Sequence, residues 1–277
     1  MRQATRDRQA RLMTELLDRK HVSIRDLAVH MGLSEATVRR DLKALADLRQ
    51  VDLVHGGATL PRDIDFSFYA KQDRNLDAKR TIGQLAATLV RDGDQLFLDS
   101  GTTCFEMAEP LAARRGLSVI VNSARLALEL RTAGVIILGG QYRPDRMDTT
   151  GPIAVNTLEQ LRGYRAFIGA DGLAMDFGVS AADIESADLY RRAVNNARET
   201  TLLVDHSKFA SSSLFKIVDF DRITRVVTDS QPPAEWIEFL QARKIEVLWP
   251  TATSSPEDAA DAEETPAAAV PGEAQHV

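Results

Sequence analysis

Two short stretches of this sequence carry enough cations and hydroxyls to do chemistry. Residues 34–45, SEATVRRDLKAL, hold Arg39, Arg40 and Lys43 in a run whose apolar residues Val38, Leu42 and Leu45 recur at i, i+4 and i+7. That spacing predicts a helix with one apolar stripe, Ala36, Arg40 and Lys43 roughly opposite it and Arg39 on its flank. Guanidinium and ammonium groups presented this way can meet phosphates and base edges in the DNA major groove, whose width admits a helix. The second stretch is residues 98–103, LDSGTT, an apolar run that ends in Asp99, Ser100, Gly101, Thr102 and Thr103. Here Gly101 lets the backbone approach a ligand, and free amides and hydroxyls at a helix start can cradle a phosphate. The plainer alternatives are a solvated charged face and a capped helix after a sharp turn.

The basic run needs neighbours to hold it against DNA, and the sequence supplies them. Ser34 is a good N-cap, and Gly32 before it suits a tight turn. Ser23 with Asp26 three residues on predicts the start of another helix, along which Ile24, Leu27, Ala28 and Met31 repeat at helical spacing. Further upstream, Leu12, Met13, Leu16 and Leu17 form a stripe on a helix that carries Arg6, Arg8 and Arg11. Three short helices with a tight turn before the last make a helix-turn-helix, and its partner is double-stranded DNA. Ser34, Glu35, Ala36 and Thr37 open the third helix and, with Arg39, Arg40 and Lys43, are the candidate DNA contacts. After Leu48 the period falls towards 2. Val51, Leu53 and His55 followed by Gly56-Gly57 predict a hairpin wing, with His55 and Gly56 placed to reach a phosphate or the minor groove.

At 277 residues, 44% of them hydrophobic, the chain is long enough for two domains. It has no apolar run of membrane-spanning length, and an N-terminus bearing Arg2, Arg6, Arg8 and Arg11 lacks a signal-peptide core, so a cytoplasmic protein that stays off membranes is expected. The single cysteine, Cys104, excludes an intramolecular disulfide and argues against a cysteine zinc site. No Walker loop or G-x-G-x-x-G follows a strand, so neither cofactor nor metal is expected. Residues 1–60 hold 11 Lys and Arg against 8 Asp and Glu, whereas the remainder holds 23 against 32. The head is basic on an acidic protein. Residues 251–277 contain no Lys or Arg and read as a disordered, acidic Ala/Pro-rich tail.

Between residues 61 and 250 the apolar runs QLFL, SVIV, VIIL, AFIG, TLLV and RVVT read as buried strands, with helical periodicity between several of them. Alternation of this kind predicts an α/β domain with a largely parallel sheet over residues 76–250, joined to the head (1–60) by a linker, 61–75. The strand ends carry Asp99, Asn122, Gly139 and Gly140, Asp171 and Gly172, Asp205, and Asp229. Ligands of open parallel sheets sit at such carboxyl ends, so this edge is the candidate effector site. Lys79 and Lys208 can meet a phosphate or sugar hydroxyls there, or simply face solvent. His206 is read as satisfying a local hydrogen bond, and Cys104 as a small buried filler.

Over residues 8–58 the chain resembles the DNA-binding domain of the DeoR family of bacterial transcriptional regulators. Arg8, Leu12, Leu16, Ser34, Thr37, Val38, Arg39, Arg40, Asp41 and Leu42 follow that family's pattern in order, and His55-Gly56-Gly57-Ala58 fits its wing. Two positions depart from it, Arg49 where Gly is common and Leu53 where Arg is common. The segments KRTIGQLAATLVRDGDQLFLDSGTT, VNSARLA, LGGQYR, IGADGL and LVDHSKF resemble successive motifs of the family's sensor domain, which is similar to sugar-phosphate isomerases and Rossmann-like. The resemblance implies a repressor of carbohydrate-metabolism genes, dimeric or tetrameric on repeated half-sites and controlled by a phosphorylated sugar. It places Ser100 to Thr103 on the phosphate, and Asp99, Asn122, Asp171, Asp205 and Lys208 around the sugar. The isomerases carry D-G-A-D-E, whereas this chain has Asp171-Gly172-Leu173-Ala174-Met175, so Asp171 is read as a lone aspartate with no partner carboxylate and no catalytic residue is assigned.

Overall fold

The computed structural model describes residues 3–19, 21–47, 51–59, 68–131 and 133–250. In the head, α1 (Gln3–Arg19), β1 (His21–Ser23), α2 (Ile24–Met31) and α3 (Glu35–Asp47) precede β2 (Asp52–Val54) and β3 (Gly57–Thr59). The expected caps are in place. Ser23 Oγ accepts from the Asp26 amide at 3.0 Å, Gly32 ends α2 at a φ of 65°, and Ser34 Oγ accepts from the Thr37 amide at 3.2 Å. Leu12, Leu16, Leu27, Val38, Leu42 and Leu45 close on one another as a single core.

A third strand joins the predicted hairpin, because β1 pairs antiparallel with β3, Val22 opposite Ala58, giving the order β1-β3-β2. Gly57 is required there, since a Cβ would stand 2.3 Å from the Val22 carbonyl oxygen. Asp41 lies on the buried side of α3, and Arg8 donates to both of its carboxylate oxygens, through Nη2 at 3.0 Å and through Nε. Two residues of the family pattern thus join α1 to α3.

The larger domain begins with α4 (Phe68–Gln72) and α5 (Leu76–Thr88), followed by β4 (Gln95–Leu98), α6 (Thr102–Phe105), α7 (Ala108–Leu111) and β5 (Ser118–Val121). Next come α8 (Ala124–Glu129), β6 (Gly134–Ile137), β7 (Gln141–Arg143), β8 (Asp148–Thr150) and α9 (Gly151–Glu159). The chain continues through β9 (Arg165–Gly169), β10 (Gly172–Ala174), β11 (Gly178–Ala181), α10 (Ile184–Asn196) and β12 (Glu199–Leu203). After a 3-10 turn (His206–Ala210) it ends with β13 (Phe215–Val218), β14 (Arg225–Val227), α11 (Ala234–Ala242) and β15 (Glu246–Leu248).

Seven strands form one sheet in the order β15-β14-β12-β9-β4-β5-β6, every neighbouring pair parallel. All six runs singled out in the sequence lie in it. Parallel strands need both faces covered. One face packs Leu158 of α9, Leu189 of α10 and Leu240 of α11 against Phe97 and Ile168, and the other packs Ile82 of α5, Leu111 of α7 and Leu126 of α8 against Leu96 and Leu98.

The expected linker is partly structured. Residues 68–72 are helical, and the Phe68 ring meets Phe105 edge to face at 5.5 Å and sits under the Arg125 guanidinium at 4.7 Å. Residues 61–67, the tail 251–277 and Arg49 lie outside the described residues.

Candidate effector pocket and DNA-reading helix

The sheet order reverses between β4 and β9: β5 and β6 extend it to one side, β12, β14 and β15 to the other. A doubly wound sheet opens a crevice at that switch point, beyond the carboxyl ends of its strands. A cavity lies there, lined by Asp99, Asp148, Asp171, Asp183 and Asp205 together with Lys71, Arg74, Lys79, Arg146 and Lys208.

Asp99 closes the crevice from behind. It is buried at the end of β4, where one carboxylate oxygen accepts from the Gly101 amide at 2.8 Å and the other from the Gly169 amide of β9 at 2.6 Å. Burial raises its pKa, with the two amides opposing. A Cβ on Gly101 would stand 3.0 Å from that carboxylate, so glycine keeps the turn tight. Cys104, one turn on, is fully buried, and burial first and the Asp99 charge second push its thiol well up, as befits a packing residue.

Ser100 is fixed by three side chains. Its Oγ bonds to Asp148 at 2.8 Å and to the Tyr190 hydroxyl at 2.8 Å, and the Asn122 amide donates to it at 3.4 Å. Asp148 is in turn gripped by Arg143, whose Nε and Nη2 reach its two oxygens at 2.8 and 2.7 Å. The same guanidinium donates to Asp183 at 2.8 Å and to Ser186 at 2.9 Å. Asp183 caps α10 through the Ser186 amide and also pairs with Arg146. Burial would raise the Asp183 carboxyl, but that amide and the two guanidinium groups prevail and lower it to about 2.

On the opposite wall, Lys71 of α4 pairs with Asp171, which also accepts from the Ala182 amide at 2.8 Å. Lys79 of α5 is buried and donates to the main-chain oxygens of Lys71 and Arg74. Burial lowers its pKa to about 8, the nearby Asp205 only partly offsetting this. Asp205 caps the 3-10 turn, accepting from the Ser207 amide at 3.0 Å and from the Asn75 side chain at 3.1 Å. For Asp171 and Asp205, burial is outweighed by Lys71 in the first case and by Ser207 and Lys208 in the second, so both stay ionised below the usual carboxylate range.

Of the residues singled out in the sequence, Lys79, Asp99, Ser100, Gly101, Thr102, Thr103, Asp171, Asp205 and Lys208 come together on this cavity. Asn122, Gly139, Gly140, Gly172 and the strand-end Asp229 do not line it. Asn122 is fully buried behind Ser100, with an amide hydrogen bond to the Thr149 carbonyl oxygen at 3.1 Å. Gly139 and Gly140 lie in the exposed bend leading to β7, and a Cβ on Gly140 would stand 2.5 Å from the Thr150 carbonyl oxygen. Gly172 is packed on backbone, where a Cβ would lie 2.5 Å from the Ser211 oxygen. Gly140 and Gly172 thus serve the path of the chain. His206 bonds locally, its Nδ1 to Asp229 at 2.8 Å.

The walls formed by α4 and the turn after it, by the β7–β8 hairpin, and by α10 with its N-cap were absent from the sequence expectation. Phe68, Lys71, Arg74, Arg146, Asp148, Asp183, Ser186 and Tyr190 come from them. The alternating charges of residues 143–148, RPDRMD, were the visible signal; Tyr190 had none. The structure also corrects the reading that Asp171 has no companion carboxylate, since folding brings four other aspartates to the same cavity.

In the head, Val38, Leu42 and Leu45 are buried while Glu35, Ala36, Arg39, Arg40 and Lys43 are exposed, so α3 presents its basic face outward. Arg39 bonds Glu35 one turn back at 3.0 Å; among the described residues no ion pair engages Arg40 or Lys43. Ser34 is held by its bonds to Thr37, and Thr37 is half-buried. His55 and Gly56 form the exposed wing turn, Gly56 at a φ of 76°.

A winged helix with an exposed basic face, joined to a doubly wound α/β domain, defines a DNA-binding regulator with a second, sensor-type domain. Residues 8–63 match the DeoR-like helix-turn-helix domain and residues 74–230 the DeoR C terminal sensor domain, and the chain belongs to the DeoR family of transcriptional regulators. The transcriptional repressor AccR of Agrobacterium fabrum is 30% identical over 233 residues, 82% of this chain and 90% of its own. The glycerol-3-phosphate regulon repressor of Escherichia coli is 27% identical over 231 residues, 82% and 92% of the two chains. Among solved structures, ribose 5-phosphate isomerase A of Methanocaldococcus jannaschii aligns with 48% of this chain and 54% of its own at 21% identity and a TM-score of 0.34, too slight a likeness to bear on chemistry. No helix among the described residues is long and apolar enough to cross a membrane.

Proposed function

We propose that this protein is a repressor of carbohydrate-metabolism genes whose operator binding is controlled by a phosphorylated sugar or sugar-derived metabolite. The observation that carries the reading is the cavity at the switch point. It sets the buried ammonium of Lys79 and the hydroxyls of Thr102 and Thr103 beside several ionised aspartates. Cations and hydroxyl donors suit a phosphate, and carboxylates suit the hydroxyls of a sugar. The name of the glycerol-3-phosphate regulon repressor, a relative, is in keeping with a small phosphorylated effector.

Binding without turnover is the preferred reading. General base catalysis needs a carboxylate with a pKa near neutrality and free to take a proton. Here Asp171, Asp183 and Asp205 are pulled down by partners, Asp148 is gripped by Arg143, and both oxygens of buried Asp99 are held by amides. The effector acts by shifting a conformational equilibrium of the sensor that alters how the heads meet DNA. A coupling of about 1 to 3 kcal/mol changes operator affinity roughly 5- to 150-fold.

The test is a thermal-shift panel of phosphorylated sugars and sugar acids. At 100 times Kd a ligand stabilises the folded state by about 2.7 kcal/mol. Substituting Thr102→Val together with Thr103→Val is expected to erase the shift given by any compound that protects the wild type. Unchanged protection would place the ligand elsewhere.

Lys79 adds a pH signature. Its ammonium is intact below about 8 and loses its proton above, so affinity for a phosphate dianion at the pocket is greater at neutral pH and falls as pH rises through about 8. Each unit beyond the pKa lowers the charged fraction roughly tenfold. Calorimetric titration at pH 7 and pH 9 is expected to show that loss, with proton uptake on binding near pH 8; a flat profile would remove Lys79 from contact with the anion.

A further inference from the structure

The two edges of the seven-stranded sheet differ in charge. At β15 the edge is guarded, because Glu246 stands on the strand and pairs with Arg225 of β14 at 2.7 Å. At β6 it is not. Residues 133–142 contain no Asp, Glu, Lys or Arg, and Ile136 and Ile137 are 42% and 50% exposed. Among the described residues β6 pairs only with β5.

The ladder fixes which groups are unpaired. Gly134 and Leu138 donate their amides towards β5, to the oxygens of Leu117 and Val121. By the alternation of a parallel ladder, Val135 and Ile137 turn their N–H and C=O outwards. A free edge of this kind without a charge or proline is an adhesive surface that folded proteins normally block.

We infer that β6 is the seam between two copies of this chain, paired antiparallel about a two-fold axis through Ile136. Charge selects the occupant. A chain of net charge −6 repels its own copies except across an uncharged strip, and this strip is uncharged. Antiparallel self-pairing places Val135 of one copy opposite Ile137 of the other, so the outward amides and carbonyls satisfy each other, with Ile136 facing its counterpart at a non-hydrogen-bonded site. Four residues of strand fall short of the roughly 800 Å² per partner that a stable interface buries. Exposed Leu128 of α8, the helix leading into β6, and exposed Tyr142 of β7, the strand after it, are the apolar side chains on the adjoining elements from which the remaining area would come. A two-fold pair also suits a winged head that reads paired half-sites. The seam does not depend on the effector reading, and loss of ligand protection would leave it untouched.

Sedimentation velocity of the full chain at tens of micromolar is the experiment. The wild type is expected to sediment as a dimer or a multiple of it. Ile136→Lys sets two like charges opposite each other and is expected to halve the mass with little change in melting temperature. A monomeric wild type, or a folded Ile136→Lys protein of wild-type mass, overturns the seam. If the lysine protein fails to fold, Ile136→Cys decides. Opposed residues at a non-hydrogen-bonded site lie within disulfide reach, and Cys104 is buried, so treatment with diamide is expected to give a covalent dimer. Leu214→Cys, exposed elsewhere, is expected to stay monomeric in a denaturing gel; no covalent dimer from Ile136→Cys, or equal cross-linking at both positions, rejects the pairing.

Discussion

Replacing Arg40 with alanine is expected to weaken specific DNA binding by about 1 to 3 kcal/mol, roughly 5- to 150-fold, while leaving the melting temperature nearly unchanged. Arg40 is on the exposed face of α3, opposite the core residues Val38 and Leu42, so its loss leaves packing intact. Because no ion pair among the described residues engages it, its guanidinium would meet DNA without first giving up a salt bridge. Arg39 differs, since its contact with Glu35 must be given up or shared, and Arg39→Ala is expected to cost less. A gel-shift titration against a fragment selected from random DNA by the wild type measures both. Retained affinity in Arg40→Ala at unchanged salt would take α3 out of the major groove.

Asp148→Ala carries the largest expected stability effect, about 3 to 4 kcal/mol, near the lower end of the range for one partner removed from a buried ion pair. Its carboxylate is 1% exposed and holds Arg143 by two bonds and the Ser100 hydroxyl by a third. Without it, Arg143 keeps Asp183 and a more distant Glu185 at 3.6 Å, which is why the loss stays below the top of that range. Urea denaturation followed at the sensor transition reads the change. A loss under about 1 kcal/mol would mean that Arg143 finds equivalent partners, so that the network is no more than a surface pair.

How much of this could be read from the chain depends on distance along it. The head was legible because its signals are local: Ser23 and Ser34 cap the helices they immediately precede, and Val38, Leu42 and Leu45 share a face through spacing alone. The strands of the parallel sheet were legible for a related reason, as strands buried on both faces leave continuous apolar runs such as QLFL and SVIV. β1 and β15, three residues each, were missed because neither leaves an apolar run such as RVVT or the glycine turn that marks the wing. The pocket was half legible. LDSGTT announces itself, but Lys71, Arg143, Asp148 and Tyr190 reach it from separated segments through tertiary contacts that no spacing encodes. Gly139, Gly140 and Gly172 misled because a glycine at a strand end is equally suited to backbone crowding, and at Gly140 and Gly172 crowding is the reason.

Helix α4 has a consequence for recombination between regulators of this architecture. Phe68, Lys71 and Arg74 belong to the pocket wall, although they lie outside the sheet and close to the wing in sequence. A chimera that keeps this protein's sensor must therefore be spliced upstream of Phe68. One joined at Leu76, where the longer helix begins, would inherit an intact sheet but a foreign α4 wall, and Asp171 would face whatever side chain the donor supplied in place of Lys71.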